Sequence, residues 1–73
     1  MKNIKDVRQR LRENPDEYGR ICSLSGLAKG ALKRKLYNPK KFTLYEVIAF
    51  KRVMALSMDE TIKIFAPFVA NSN

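Results

Sequence analysis

The sequence is poor in the residues on which catalytic and metal sites depend. Its 73 residues include no histidine, no tryptophan and a single cysteine, Cys22. A lone thiol cannot form an internal disulfide, and without histidine the chain lacks the usual zinc and transition-metal ligand sets. No glycine-rich phosphate loop and no nucleophile beside a base can be found. These absences favour a protein that is not an enzyme, carries no cofactor or metal, and resides in a reducing compartment, with Cys22 as inert core packing.

Long apolar runs are missing as well. No stretch approaches the roughly 20 apolar residues that a membrane-spanning helix needs, and the N-terminal residues lack the unbroken apolar segment of a secretory signal. A chain of 73 residues has room for one hydrophobic core only. We therefore expect one small, soluble, cytoplasmic domain.

Acidic residues are scarce, and the charge is unevenly spread. The chain has 15 Lys and Arg against 7 Asp and Glu, for a net charge of +8. After residue 41 the charges balance, with Lys51, Arg52 and Lys63 against Glu46, Asp59 and Glu60. The whole positive excess therefore belongs to residues 1–41, as expected if that part faces a polyanion such as nucleic acid.

Three segments carry the signature of a helix start, a small polar residue followed three positions later by Glu. They are Asn14–Glu17, Thr43–Glu46 and Ser57–Glu60. The polar side chain can accept a hydrogen bond from the free N–H groups of the first turn, and the Glu can bond back. Helices are therefore predicted to begin at about Pro15, Leu44 and Met58.

Together with apolar periodicity, these starts predict an all-α bundle of about five short helices. The predicted helices are Ile4–Glu13, Pro15–Ser25, Ala28–Tyr37, Leu44–Ala55 and Met58–Phe65. The fourth is apolar almost all round, which indicates burial by several neighbours. In the fifth, Met58, Ile62 and Phe65 form one apolar stripe. Phe65 is expected to close the core, whereas Phe68 and Val69 fit either core closure or a dimer contact.

The second and third helices, joined by a turn at Gly26, have the arrangement of a helix-turn-helix. On a helical wheel the third helix packs through its leucines, while Lys29, Lys33 and Arg34 share the opposite arc. Lys35 falls on the packing face and would have to extend outward. The basic arc is either a solvated surface or a DNA contact, and we favour DNA. Tyr37, at its edge, could contact a phosphate or cap the core.

Three motifs in order also resemble a known family. The segments Ile21–Leu36, Lys41–Val47 and Leu56–Ile62 fit G-hydrophobic-x-x-x-x-L-x-x-K-L, F-T-x-x-E-hydrophobic and L-S-x-x-E. This series resembles the lambda-repressor-like (XRE/Cro-type) helix-turn-helix family, especially small phage and prophage Cro-like regulators. The resemblance implies a transcriptional regulator or repressor that binds double-stranded DNA, typically as a homodimer and without a cofactor or small-molecule ligand.

The resemblance also implies roles for individual residues. Cys22 takes a small buried site, Gly26 the turn, and Leu27, Leu32 and Leu36 core positions. The DNA-facing residues are Ala28, Lys29, Gly30, Lys33, Arg34 and Tyr37, with Lys40, Lys41 and Tyr18 as further candidate contacts. Tyr18 replaces the Gln of many relatives, and Ala28 and Gly30 offer no polar side chain for base reading.

We accordingly assign residues 1–66 to a helix-turn-helix DNA-binding domain and residues 67–73 to a C-terminal tail that could join a dimer contact. Two other functions remain open on the sequence alone. One is a protein-interaction module on the same scaffold, such as an antirepressor or regulatory subunit. The other is a nonspecific nucleic-acid binder.

Overall fold

Helices make up most of the chain that the computed structural model describes, which is residues 3–39 and 42–69. Within that part lie five α-helices and a short 3₁₀ helix. They are α1 (Ile4–Glu13), α2 (Pro15–Ser25), α3 (Lys29–Tyr37), α4 (Leu44–Val53), α5 (Met58–Phe65) and η1 (Ala66–Phe68). The predicted all-α bundle is confirmed. Among the residues described, no helix has both the length and the apolar character needed to cross a bilayer.

Two of the three predicted capping boxes are present. Thr43 accepts a hydrogen bond from the Glu46 N–H at 3.2 Å, and the Glu46 carboxylate accepts one from the Thr43 N–H at 3.0 Å. Ser57 and Glu60 exchange the same two bonds at 3.0 and 2.9 Å. Each box satisfies N–H groups that the first helical turn leaves free, so α4 and α5 begin where the sequence predicts.

The box predicted at Asn14 does not form, although α2 does begin at Pro15. The Asn14 side-chain amide instead donates to the Arg10 carbonyl at 2.8 Å. The Glu17 carboxylate accepts from Arg10 Nε at 3.0 Å and Nη2 at 2.8 Å. This two-point bond to a guanidinium is stronger than a bond to a backbone N–H, and it holds the pKa of Glu17 below its ordinary value. The pair also ties α1 to α2.

Three phenylalanines form the centre of the core. The Phe42 ring meets the Phe50 and Phe65 rings nearly at right angles, with centroids 5.5 and 5.4 Å apart, and Phe50 and Phe65 are 4.9 Å apart. All three are at most 1% exposed, so the predicted burial of Phe65 is confirmed. Helix α2 packs against α4 beside this cluster. Each ring buries a large apolar area and gains from the edge-to-face geometry.

The end of the described chain packs back on the core. The Phe42 N–H donates to the Phe68 carbonyl at 2.9 Å, and Phe42 pairs with Val69 in an isolated parallel bridge. Phe68 and Val69 are half-buried against the core cluster. Of the two roles left open for them by the sequence, core closure is the one visible in this chain.

Helix α4 ends two residues earlier than predicted. It stops at Val53, and Ala55 adopts a left-handed backbone with φ of 54°. The Leu56 N–H then donates to the Lys51 carbonyl at 3.0 Å. This is the hydrogen bond that closes a helix in a Schellman motif. Alanine pays a steric penalty in this conformation and is rarely found there, so nothing in the local residue types marks the stop.

The apolar faces of α4 and α5 also differ from prediction. Leu44 is 67% and Ile48 42% exposed, so α4 is not buried all round. In α5, Met58 and Ile62 are 63% and 54% exposed, while Thr61, Ile64 and Phe65 face the core. The stripe of Met58, Ile62 and Phe65 is therefore not the packing face. The described helices leave the side of α4 that carries Leu44 and Ile48 uncovered.

Replacing Gly19, inside α2, or Gly26, at its C-terminal end, by alanine is expected to change the free energy of unfolding in opposite directions. Gly19 lies inside the helix with nothing within 4 Å of the point that a Cβ would occupy, so Gly19→Ala should raise the free energy of unfolding by about 0.5–1 kcal/mol through helix propensity. Gly26 ends the helix with φ of 77°, so Gly26→Ala should lower it by about 1–2 kcal/mol. Urea denaturation measures both. Equal stability of the two variants would contradict the left-handed turn.

Candidate nucleic-acid interface

The connection between α2 and α3 is short and fixed by glycine. The Gly26 N–H donates to the Cys22 carbonyl at 2.9 Å, and the left-handed backbone of Gly26 turns the chain out of α2. Helix α3 starts at Lys29, one residue later than predicted, with Ala28 as its N-cap. Ala28 has no side-chain oxygen to bond the first turn. The start of α3 therefore has no side-chain cap.

Helix α3 has one buried and one exposed face, as the wheel predicts. Leu32 and Leu36 are 0% and 3% exposed, and Leu27, just before the helix, is half-buried against the same core. Along the opposite face, the exposed residues are Lys29, Gly30, Lys33 and Arg34. We call these four residues the α3 basic face. No acidic side chain of the described segments forms an ion pair with its three cations.

The fourth cation of α3 is held by the protein itself. Lys35 Nζ donates to both oxygens of Glu46, at 2.7 and 2.9 Å. Glu46 is buried, at 6% exposed, and it also completes the α4 capping box. Lys35 therefore extends from the packing side as predicted, but it reaches Glu46 instead of solvent. The bond ties α3 to the start of α4.

Tyr18 supports the other end of α3. Its hydroxyl donates to the carbonyl of Lys29, the first residue of the helix. The side chain is half-buried, and this burial raises the pKa of the phenol. The hydroxyl proton is thus engaged within the protein, while the oxygen keeps lone pairs that can accept from a ligand. Whether Tyr18 contacts DNA stays a prediction.

Tyr37 is fixed by two arginines of α1 that the sequence did not single out as its partners. Arg12 Nη2 donates to the Tyr37 hydroxyl at 2.6 Å. The Arg8 guanidinium lies over the Tyr37 ring, 5.1 Å from its centroid, and donates to the Leu36 carbonyl at 2.8 Å. Tyr37 is 54% exposed, so it does not cap the core. It lies at the boundary of α1 and α3.

The remaining candidates have mixed positions. Ala28 is exposed beside the α3 basic face, whereas Lys40 and Lys41 lie outside the described residues. Cys22 is half-buried, not fully buried as the resemblance implies, and burial raises the pKa of its thiol. In the two described ranges, no cluster of three or more His, Cys, Asp or Glu side chains is placed to hold a metal ion.

The structure therefore brings together Lys29, Lys33 and Arg34 on one exposed helix face and places Tyr18 and Tyr37 at the two ends of that helix. The arrangement suits a polyanion, because cations without acidic partners can bind phosphate or base edges without first breaking an ion pair. Comparison with known proteins adds nothing to this geometry: no protein-family model, no curated protein and no solved structure matches the chain.

Proposed function

We propose that the protein is a sequence-specific, double-stranded DNA-binding transcriptional regulator of the small Cro or repressor type, with α3 as its recognition helix. One observation carries the proposal. Lys29, Lys33 and Arg34 share an exposed face without acidic partners among the described residues, while the leucines behind them are buried. A packed helix whose exposed charged side chains are all cations suits the major groove, which admits an α-helix.

In the proposed complex, α2 crosses the DNA backbone and α3 lies in the groove as the second helix of a helix-turn-helix. Lys33 and Arg34 donate to guanine O6 and N7, the commonest specific contact of such side chains. Ala28 and Gly30 add no polar groups, but their small size allows the start of α3 to come close to the bases. Two copies bound about one helical turn apart would read two half-sites.

A second candidate function is binding of a protein partner. It is favoured by exposed apolar side chains on a different surface, where Leu24, Tyr45 and Ile48 line a small recess with Arg52. These three are 42–69% exposed. Contiguous apolar side chains at a surface are typical of contact sites between proteins. This surface belongs to α2 and α4, so it does not compete with the α3 basic face for a ligand.

Selection of bound sequences from a random duplex pool, followed by titrations of the selected and a scrambled duplex at two salt concentrations, tests the proposal. We expect one enriched sequence, preferred over the scrambled duplex, with an affinity that falls steeply with salt because cations displace counterions from phosphates. Equal affinity for both duplexes would instead indicate nonspecific coating. Absence of binding even at low salt would contradict DNA binding and favour the protein partner.

A further inference from the structure

A pocket of about 220 Å³ lies between α1 and α3, beside the α3 basic face. Leu11 and Leu36, both nearly fully buried, form its floor. Its remaining lining consists of two tyrosines and three cations, Tyr18, Tyr37, Arg8, Arg12 and Lys33. We call it the α1–α3 pocket. Ligand pockets typically combine apolar walls with a few charged or polar groups that fix orientation, so this lining suits an anionic group that also carries carbon.

The charge of the pocket is of one sign. No described carboxylate lines it, and neither Arg8 nor Arg12 forms an ion pair with a described acidic residue. Glu13 lines a neighbouring recess that shares Arg8 and Arg12. Three cations around one pocket repel one another, and an anion in their midst would remove that repulsion.

The arginines are already arranged around the pocket. Arg8 is fixed through the Leu36 carbonyl and the Tyr37 ring, and Arg12 is held by one bond to the Tyr37 hydroxyl, at 2.6 Å. A guanidinium has five N–H donors in a planar fork that matches two oxygens of a phosphate. Holding a long side chain in place beforehand also reduces the entropy lost on binding.

We propose that the α1–α3 pocket binds a phosphate group, supplied by the backbone of the same duplex whose bases α3 reads. This inference rests on the proposed function. Lys33 belongs both to the α3 basic face and to the rim of the pocket, so a phosphate in the pocket lies next to the groove that α3 would occupy. Arg12 and Arg8 bind the phosphate oxygens, and the apolar floor receives the carbons of the adjoining sugar. A free nucleotide offers the same chemistry and is the alternative source.

The slope of log affinity against log salt tests the inference, with Arg12→Ala compared with Arg52→Ala. Both residues are exposed arginines, but Arg52 lies on α4, away from the pocket. Loss of one phosphate contact should reduce the slope by about 0.9 in Arg12→Ala and lower the affinity by about 10-fold at low salt. Arg52→Ala should leave both at the wild-type values. Arg12→Lys keeps the charge but not the planar fork of donors, so its affinity should lie between those of the wild type and Arg12→Ala.

A second measurement identifies the source of the phosphate. NMR spectra of the wild type, Arg12→Ala and Arg52→Ala are recorded during titration with a deoxynucleoside monophosphate. Shifts at Tyr37 and the Arg8 guanidinium that disappear in Arg12→Ala, with no effect of Arg12→Ala on the duplex salt slope, would keep the phosphate site but overturn its assignment to the DNA backbone. Arg12→Ala and Arg52→Ala behaving alike in both measurements would overturn the site.

Failure of the inference differs from failure of the proposed function. If the wild-type protein binds no duplex, the proposed function fails, and the mononucleotide titration alone decides whether the pocket binds phosphate. If the wild-type protein binds a preferred duplex with equal salt slopes for Arg12→Ala and Arg52→Ala, the proposed function stands and the backbone assignment fails.

Discussion

Replacing Lys33 and Arg34 together by alanine is expected to weaken binding to the preferred duplex by about 100- to 1,000-fold, since each lost base contact costs about 1–3 kcal/mol. Both side chains are exposed on α3 and lack acidic partners among the described residues. Their removal should leave the free energy of unfolding within about 0.5 kcal/mol of the wild type. Fluorescence anisotropy of labelled duplexes measures the affinity, and urea denaturation measures the stability.

The matched control is Lys51→Ala with Arg52→Ala. It removes the same two charges from two adjacent residues of another helix, α4. If affinity depended only on net charge, the two double variants would lose it equally. We expect the control to lose less than about 10-fold and to select the same sequence as the wild type. A Lys33, Arg34 variant that enriched the original site at full strength would exclude α3 as the recognition helix.

Glu46→Ala is expected to lower the free energy of unfolding by about 2–3 kcal/mol, the largest stability effect that we anticipate from one polar residue. The buried carboxylate accepts hydrogen bonds from the Thr43 N–H and, through both oxygens, from Lys35 Nζ. Its loss therefore removes a helix cap and a bond between α3 and α4 together. The expected loss of stability is smaller than for a fully buried ion pair, because the Lys35 side chain is 30% exposed and solvent screens its charge. Urea denaturation again provides the measurement.

Two further variants separate the contributions at Glu46. Thr43→Ala removes the other half of the capping box and should cost about 1 kcal/mol. Glu46→Gln keeps an oxygen for the Thr43 N–H but loses the charge that faces Lys35. Its free energy of unfolding should therefore lie between those of the wild type and Glu46→Ala. If Glu46→Ala were no less stable than Thr43→Ala, the bond between Glu46 and Lys35 would contribute nothing to the free energy of unfolding.

The helix boundaries were largely predictable because their signals are local. Proline, capping residues and apolar spacing act within one or two turns, and they placed α1, α2 and α5 with the bounds that the structure shows. The end of α4 was missed, since Ala55 takes a left-handed conformation that glycine usually marks. Its exposed apolar face was missed for another reason: periodicity shows which residues could be buried, not whether a neighbour covers them.

The candidate site was predictable only in part. The wheel of α3 separates Lys29, Lys33 and Arg34 from its leucines, because spacing within one helix fixes which residues share a face. The contacts of Tyr37 with Arg8 and Arg12 and of Lys35 with Glu46 join residues that are distant in sequence. They depend on how helices lie against one another, which spacing within one helix does not reveal. The spacing of Val7 and Leu11 was one usable signal for these contacts, because the burial of both residues leaves the neighbouring arginines of α1 at the edge of its buried face.

The hydrogen bond from the Phe42 N–H to the Phe68 carbonyl cannot form during translation until the C-terminal partner has been synthesised. A nascent chain that has emerged only as far as α5 holds all five α-helices of the described bundle but lacks the partner that Phe42 pairs with. Domains that fold during synthesis do so as units. The native hydrogen bond of the Phe42 N–H therefore forms only after Phe68 has emerged from the ribosome, and nascent chains held with Phe68 still inside the exit tunnel should be easier to proteolyse than chains in which Val69 has emerged.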